Sequence, residues 1–199
     1  MIELECSQND LETASKIILN GGIVIFPTDT IYGIGCDPFN NTSIKKIFKI
    51  KKRSDKPLPV LCNSINSVYK IVEVNKIAEE LMKKYWPGPL TLVLKVKSNT
   101  FPPLLTNNSD FIGVRIPNNK CTLDFIDKCH GYIVGTSANI SGQESFFSVD
   151  GLEKELPNCD AIINGGNTPL KTESTVIKIN GTEIEKLREG SIKFHDFLP

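Results

Sequence analysis

Histidine is nearly absent from this chain: His130 and His195 are the only two, and the six cysteines (Cys6, Cys36, Cys62, Cys121, Cys129, Cys159) contain no C-x-x-C pair. That scarcity argues against a zinc site, and the scattered thiols argue against a disulfide scaffold. Cys129 and His130 are adjacent, but neighbours on a strand or helix point in different directions, which disfavours a thiol–imidazole dyad. No apolar run approaches the ~18 residues that a membrane span needs. The opening Met1-Ile-Glu-Leu-Glu-Cys6 carries acids where a signal peptide carries Lys or Arg, so a cytoplasmic protein with no membrane association is expected. Net charge is missing too, with 23 basic residues against 23 acidic, which disfavours binding of nucleic acid by global electrostatics. Neither G-x-x-x-x-G-K-[ST] nor G-x-G-x-x-G occurs, so a bound nucleotide would be held without either familiar glycine loop.

What is present is enough for a core. The 199 residues are 40% hydrophobic and 23% charged, and their number fits one domain spanning 1–199. Apolar spacing predicts helices over Asp10–Asn20, from Asn41 or Thr42 to near Arg53, over Ser64–Ile71, Lys76–Tyr85 and Thr122–Cys129, and over Ser148–Leu156 with Ser148 as cap. Strands are expected at Ile23–Phe26, Ile31–Cys36, Leu58–Cys62, Leu90–Val96, Ile112–Ile116, Tyr132–Thr136 and Ala161–Asn164. A last hairpin, Ser174–Ile179 with Glu183–Leu187, turns at Asn180-Gly181. Strands alternate irregularly with helices, so the expected fold is α+β (mixed α/β): one twisted, mixed parallel and antiparallel sheet flanked by helices.

Arginine is the rare cation. Twenty of the 23 basic residues are lysine, and the arginines are Arg53, Arg115 and Arg188 alone, which suggests places where a flat, two-pronged donor is wanted for a carboxylate or phosphate. Seven of the twelve residues from Lys45 to Lys56 are basic and one, Asp55, is acidic. A solvated helix face explains part of this, but Lys51-Lys-Arg53 closes a helix and enters a Pro-containing turn, where side chains and backbone can converge on an anion. Small hydroxyl and amide residues gather at strand ends in Gly135-Thr-Ser-Ala-Asn-Ile-Ser-Gly142, in Pro27-Thr-Asp-Thr-Ile-Tyr32 and at Ser174-Thr175. Such residues supply donors and acceptors without filling the space that a ligand needs.

Seven segments together resemble the YrdC/TsaC threonylcarbamoyl-adenylate synthases, in that family's order and spacing from about Gly21 to Gly190. They are Phe26–Gly35, Lys51-Lys-Arg53 with Lys56-Pro-Leu58, Trp86–Thr91, Val114-Arg-Ile-Pro117, Thr136-Ser-Ala-Asn139, Ser174-Thr-Val176 and Leu187-Arg-Glu-Gly190. The resemblance implies a short, single-domain, YrdC-like protein with a central cationic cavity. It would join L-threonine, bicarbonate and ATP into threonylcarbamoyl-AMP and pyrophosphate, the first step of tRNA threonylcarbamoyladenosine formation. By the same likeness Lys51, Arg53, Lys56, Ser137, Asn139, Ser145 and Arg188 would bind ATP, with Lys51, Arg53, Ser137 and Asn139 closest to the chemistry. Thr30, Arg115 and Ser174 would hold threonine, joined by Thr28 and Tyr32. The implied cofactor is Mg2+ carried by ATP with no protein-bound metal, and the implied partners are downstream tRNA threonylcarbamoyltransferase proteins, with at most a weak tRNA contact. Several family members carry histidine where this chain has Leu61, which bears on amino-acid selectivity. Trp86–Pro89 and Cys36-Asp-Pro38 read as packing and turn features. Two other readings stand beside this one: an RNA-binding module using the lysine stripe, and a sister carbamoyl-adenylate-forming enzyme with another amine substrate.

Overall fold

The computed structural model describes residues 1–52 and 56–197. The chain runs β1 (Ile2–Glu5), α1 (Gln8–Leu19), β2 (Val24–Phe26), β3 (Gly33–Gly35), α2 (Asn41–Ile50) and β4 (Val60–Cys62). Next come α3 (Ile65–Ile71), α4 (Lys76–Tyr85), β5 (Leu90–Lys95), α5 (Pro103–Thr106), β6 (Phe111–Arg115) and α6 (Lys120–Lys128). The last third holds β7 (Tyr132–Val134), β8 (Thr136–Ser137), α7 (Leu152–Glu155), β9 (Ala161–Asn164), β10 (Thr175–Asn180), β11 (Glu183–Arg188) and a 3-10 turn over Phe194–Phe197. Side chains one residue ahead of the helices fix where several of them start. Asn40 accepts from the backbone N–H groups of Thr42 and Ser43 at α2, and Ser7, Ser64, Asn75 and Asn119 cap α1, α3, α4 and α6 in the same way. The helix expected over Ser148–Leu156 is shorter. Ser148 Oγ donates to Asp150, Gly151 sits at φ +83°, and only Leu152–Glu155 is helical.

The mixed α/β class holds, but the strands form two mixed sheets where one was expected. Their orders are β1-β9-β2-β3-β8 and β11-β10-β5-β6-β4-β7. The expected strand Tyr132–Thr136 is where the chain changes sheet. β7 pairs antiparallel with β4, and two residues later β8 pairs antiparallel with β3. Gly135 makes that step against the β4 side chains: a Cβ there would lie 2.4 Å from Leu61 Cγ. The strand β1 was not anticipated, because its partner β9 lies about 160 residues away and two apolar side chains in four residues give little local signal. A single disulfide, Cys6–Cys121, ties the residue after β1 to the first turn of α6, a pairing the cysteine spacing did not signal, while the other four cysteines are free.

One face of the six-stranded sheet meets the main core. Leu90, Leu92, Leu94, Ile112, Val114, Ile177 and Ile179 are buried there. The intervening residues Thr91, Val93, Gly113, Arg115, Val176 and Lys178 turn to the opposite face, as strand alternation requires, and line a cavity. Among the described residues no helix is long and apolar enough to cross a membrane.

Candidate active site

The cavity has a volume of about 680 Å³ and lies between that sheet face, the β2–β3 connection and the Gly135–Ser137 crossing. A second hollow of about 520 Å³ opens beside it among Lys51, Lys52, Asn139, Ser141, Gln143 and Glu173. Lys56 and Ser137 line both, so the two hollows adjoin at those side chains. Residues from the β2–β3, α2–β4 and β9–β10 connections, from β6 and from β8 therefore meet in one place.

The deeper end is built around Arg115, which is 5% exposed. Its Nε donates to Gly88 O at 2.9 Å, Nη1 donates to Thr30 Oγ1 at 3.0 Å, and Nη2 forms an ion pair with Asp29. Three of the five guanidinium N–H groups have these partners, and each terminal nitrogen carries one further N–H donor. Burial pulls the Arg115 pKa below its usual value, with Asp29 opposing and Arg188 adding to the shift. The guanidinium still stays charged at any physiological pH. Thr28 Oγ1 holds the loop in shape: it donates to Ile31 O at 2.6 Å, accepts from Thr30 and Ile31 N–H, and lies 2.9 Å from Thr30 Oγ1. Across the cavity Ser174 Oγ lies 2.9 Å from Thr91 Oγ1 and accepts from Arg188 Nη2 at 3.0 Å. Arg188 also pairs with Glu173 at 2.5 Å, and Glu173 accepts from Ser145 Oγ at 3.1 Å.

The shallower end is organised by Lys51, 2% exposed, at the end of α2. Its ammonium donates to Ser137 O at 2.5 Å, to Asn139 O at 2.8 Å and to Asn139 Oδ1 at 3.2 Å. Ser137 Oγ donates to Asn139 Oδ1 at 2.6 Å, and Asn139 Nδ2 donates to Gln143 O at 2.6 Å. Lys51 thereby fixes a loop some 86 residues downstream, and Lys52, Lys56 and the Ser141–Gln143 backbone ring the hollow around it. Charge density of this kind suits an anion with several negative oxygens.

A family model described as "Telomere recombination", covering Sua5, YciO and YrdC proteins, matches residues 16–190. The chain belongs to the Sua5/YciO/YrdC family. It is 32% identical over 185 residues to a threonylcarbamoyl-AMP synthase of Aliivibrio fischeri, covering 91% of this chain and 99% of that protein. Pyrococcus abyssi Sua5 complexed with L-threonine superposes with a TM-score of 0.92 at 33% identity, covering 98% of this chain, and this chain spans 58% of the length of that one. Escherichia coli YciO superposes with a TM-score of 0.90 at 25% identity, covering 99% of this chain and 98% of that one.

Within this Sua5/YciO/YrdC chain, most residues singled out from sequence line the two hollows. Thr28, Thr30, Tyr32, Arg115, Ser174 and Arg188 line the first, Lys51 and Asn139 the second, and Lys56 and Ser137 both. Ser145 reaches the site through Glu173. Arg53 lies outside the described residues. Tyr32 is built in a structural role: its hydroxyl donates to Gly166 O at 2.8 Å and accepts from Gly165 N–H at 3.1 Å, and burial raises its pKa. Trp86–Pro89 contributes more than packing, because Gly88 O anchors Arg115. Sequence reasoning passed over Asp29, Thr91 and Glu173. Asp29 stands in a quoted motif, and a lone acid beside a lone arginine 86 positions away leaves no local pattern to read. The remaining cysteines are buried, which pushes their thiol pKa values up, Cys129 and Cys159 to about 12, so none is a thiolate nucleophile at neutral pH. Among the described residues no group of three or more His, Cys, Asp or Glu could hold a metal ion, and Asp29 and Glu173 are each paired with an arginine.

Proposed function

We propose that this protein is an L-threonylcarbamoyladenylate synthase, a nucleotidyltransferase that converts L-threonine, bicarbonate and ATP into threonylcarbamoyl-AMP and pyrophosphate. The observation that carries the reading is that the Arg115 cavity and the Lys51 hollow lie side by side, sharing Ser137 and Lys56 in their walls. A carboxylate site and a polyanion cradle are thereby placed next to one another. In this reading Arg115 takes the amino-acid carboxylate, flanked by Thr30, Thr28 and Ser174, and the Lys51-organised loop receives the triphosphate. Lys56, Ser137, Asn139, Ser145 and Arg188 line the path between, with Arg53 placed by its motif alone.

The chemistry asks little of the side chains beyond placement. The threonine amine adds to CO2 or bicarbonate to give a carbamate, and a carbamate oxygen displaces pyrophosphate from the α-phosphorus. No covalent enzyme intermediate is required, so alignment and neutralisation of phosphate charge are the catalytic terms, and lysine, serine and asparagine are suited to them. Magnesium would enter on the triphosphate, since among the described residues no group of three or more His, Cys, Asp or Glu could hold it. Enclosure shields the mixed anhydride from water. The product would pass to tRNA threonylcarbamoyltransferase proteins in the cytoplasm, with at most a weak tRNA contact by the synthase itself. Incubation with ATP, magnesium, bicarbonate and labelled threonine should yield the labelled adenylate by mass spectrometry, dependent on all four. Its absence would refute the assignment.

A further inference from the structure

Both described guanidinium groups in the cavity wall come with a carboxylate. The Arg188–Glu173 pair is part-exposed, with side chains 42% and 34% accessible, whereas the Arg115–Asp29 pair is buried at 6% and 5%. Asp29 Oδ2 is buried with no hydrogen-bond partner, so Arg115 is the cation that balances this acid. The deep end of the cavity is therefore a charge-neutral pair lodged in a region of low dielectric. The lysines that share the cavity lie farther toward solvent: Lys56 is exposed, and Lys178 sits over the Phe111 ring at 4.4 Å.

We propose that Asp29 is a specificity-determining residue that makes this end of the cavity select zwitterions over simple carboxylates. The inference rests on the threonine reading above and deepens it. A carboxylate seated on Arg115 is attracted by the guanidinium and repelled by Asp29 just behind it, and the two terms differ only through their distances. A ligand with a carboxylate and no cation leaves a net negative charge in a buried site, which is costly. An amino acid brings its own ammonium, which Asp29 favours, and the site stays neutral. Asp29 thus enforces the presence of the amine on which the reaction depends, without touching the reacting atoms.

The test compares L-threonine with 3-hydroxybutyrate, which is threonine without its amine, by calorimetric titration of the wild-type protein and of Asp29→Asn, with thermal unfolding followed in parallel. The wild type should prefer threonine by about tenfold or more, and Asp29→Asn should narrow that ratio by about tenfold, chiefly through tighter 3-hydroxybutyrate binding. Equal binding of the two ligands by the wild type overturns the proposal, with no variant needed. An unchanged ratio in Asp29→Asn, or a uniform weakening of both ligands, overturns it as well. Asp29→Ser supplies the second variant if Asp29→Asn does not fold. A wild-type protein that binds neither ligand overturns the threonine reading itself, whereas threonine binding with a ratio indifferent to Asp29 overturns this inference alone.

Discussion

The two ends of the site handle charge in opposite ways. At the deep end Arg115 is matched, out of water, by Asp29 and a carbonyl, and its geometry is set by hydrogen bonds to two separate loops. Around Lys51 the buried ammonium is spent on holding backbone, and the cations left facing the hollow, Lys52 and Lys56, are exposed. A small ligand that must be chosen from many similar molecules needs the first kind of site. A polyanion that announces itself by charge needs only the second. Specificity and electrostatic capture are therefore divided between two adjoining hollows.

The contrast can be broken at its most buried point first. Lys51→Met removes a charged donor from at least three acceptors, so it should lower stability by about 1.5–3 kcal/mol and turnover by more than about 100-fold. Chemical denaturation and adenylate assays read the two effects. Arg115→Lys keeps the charge and loses the fork, and should raise the threonine KM by about 10–100-fold while leaving the ATP KM in place. A shift in both constants would erase the division between the ends. Lys56→Ala should do the reverse on a smaller scale, raising the ATP KM by about three- to tenfold at low salt, with the effect shrinking in 0.5 M salt. The smallest change is expected from Glu173→Gln. The Arg188 pair it breaks is part-exposed and worth at most about 1 kcal/mol, so both KM values should move by less than about fivefold.

Much of this architecture could be read locally. The helices α3 and α4 run within a residue of their predicted bounds, because Ser64 and Asn75 announce their starts and apolar spacing carries them through. The hairpin expected at Asn180-Gly181 is present, with its two-residue turn one position later at Gly181-Thr182 and Gly181 at φ +60°. What escaped were relations between distant segments. The split into two sheets depends on a change of partner at Gly135, and the parallel pairing of β1 with β9 joins the two ends of the chain. In the site, motifs located Arg115 and Ser174, since rare arginines and clustered hydroxyls are visible in a string of letters. They could not show that Asp29 answers Arg115, that Glu173 joins Ser145 to Arg188, or that Tyr32 spends its hydroxyl on Gly165 and Gly166. Those assignments depend on side-chain direction, which sequence spacing across loops leaves open.

Core and ligand wall are opposite faces of the same strands, so their fates are linked when the chain changes length. Deleting one residue within β5 would send Thr91 and Val93 toward the oily side and Leu92 toward the ligand, damaging folding and chemistry together. Insertions and deletions should accumulate instead in exposed turns such as 97–100 and 181–182, where no side chain has to choose a face.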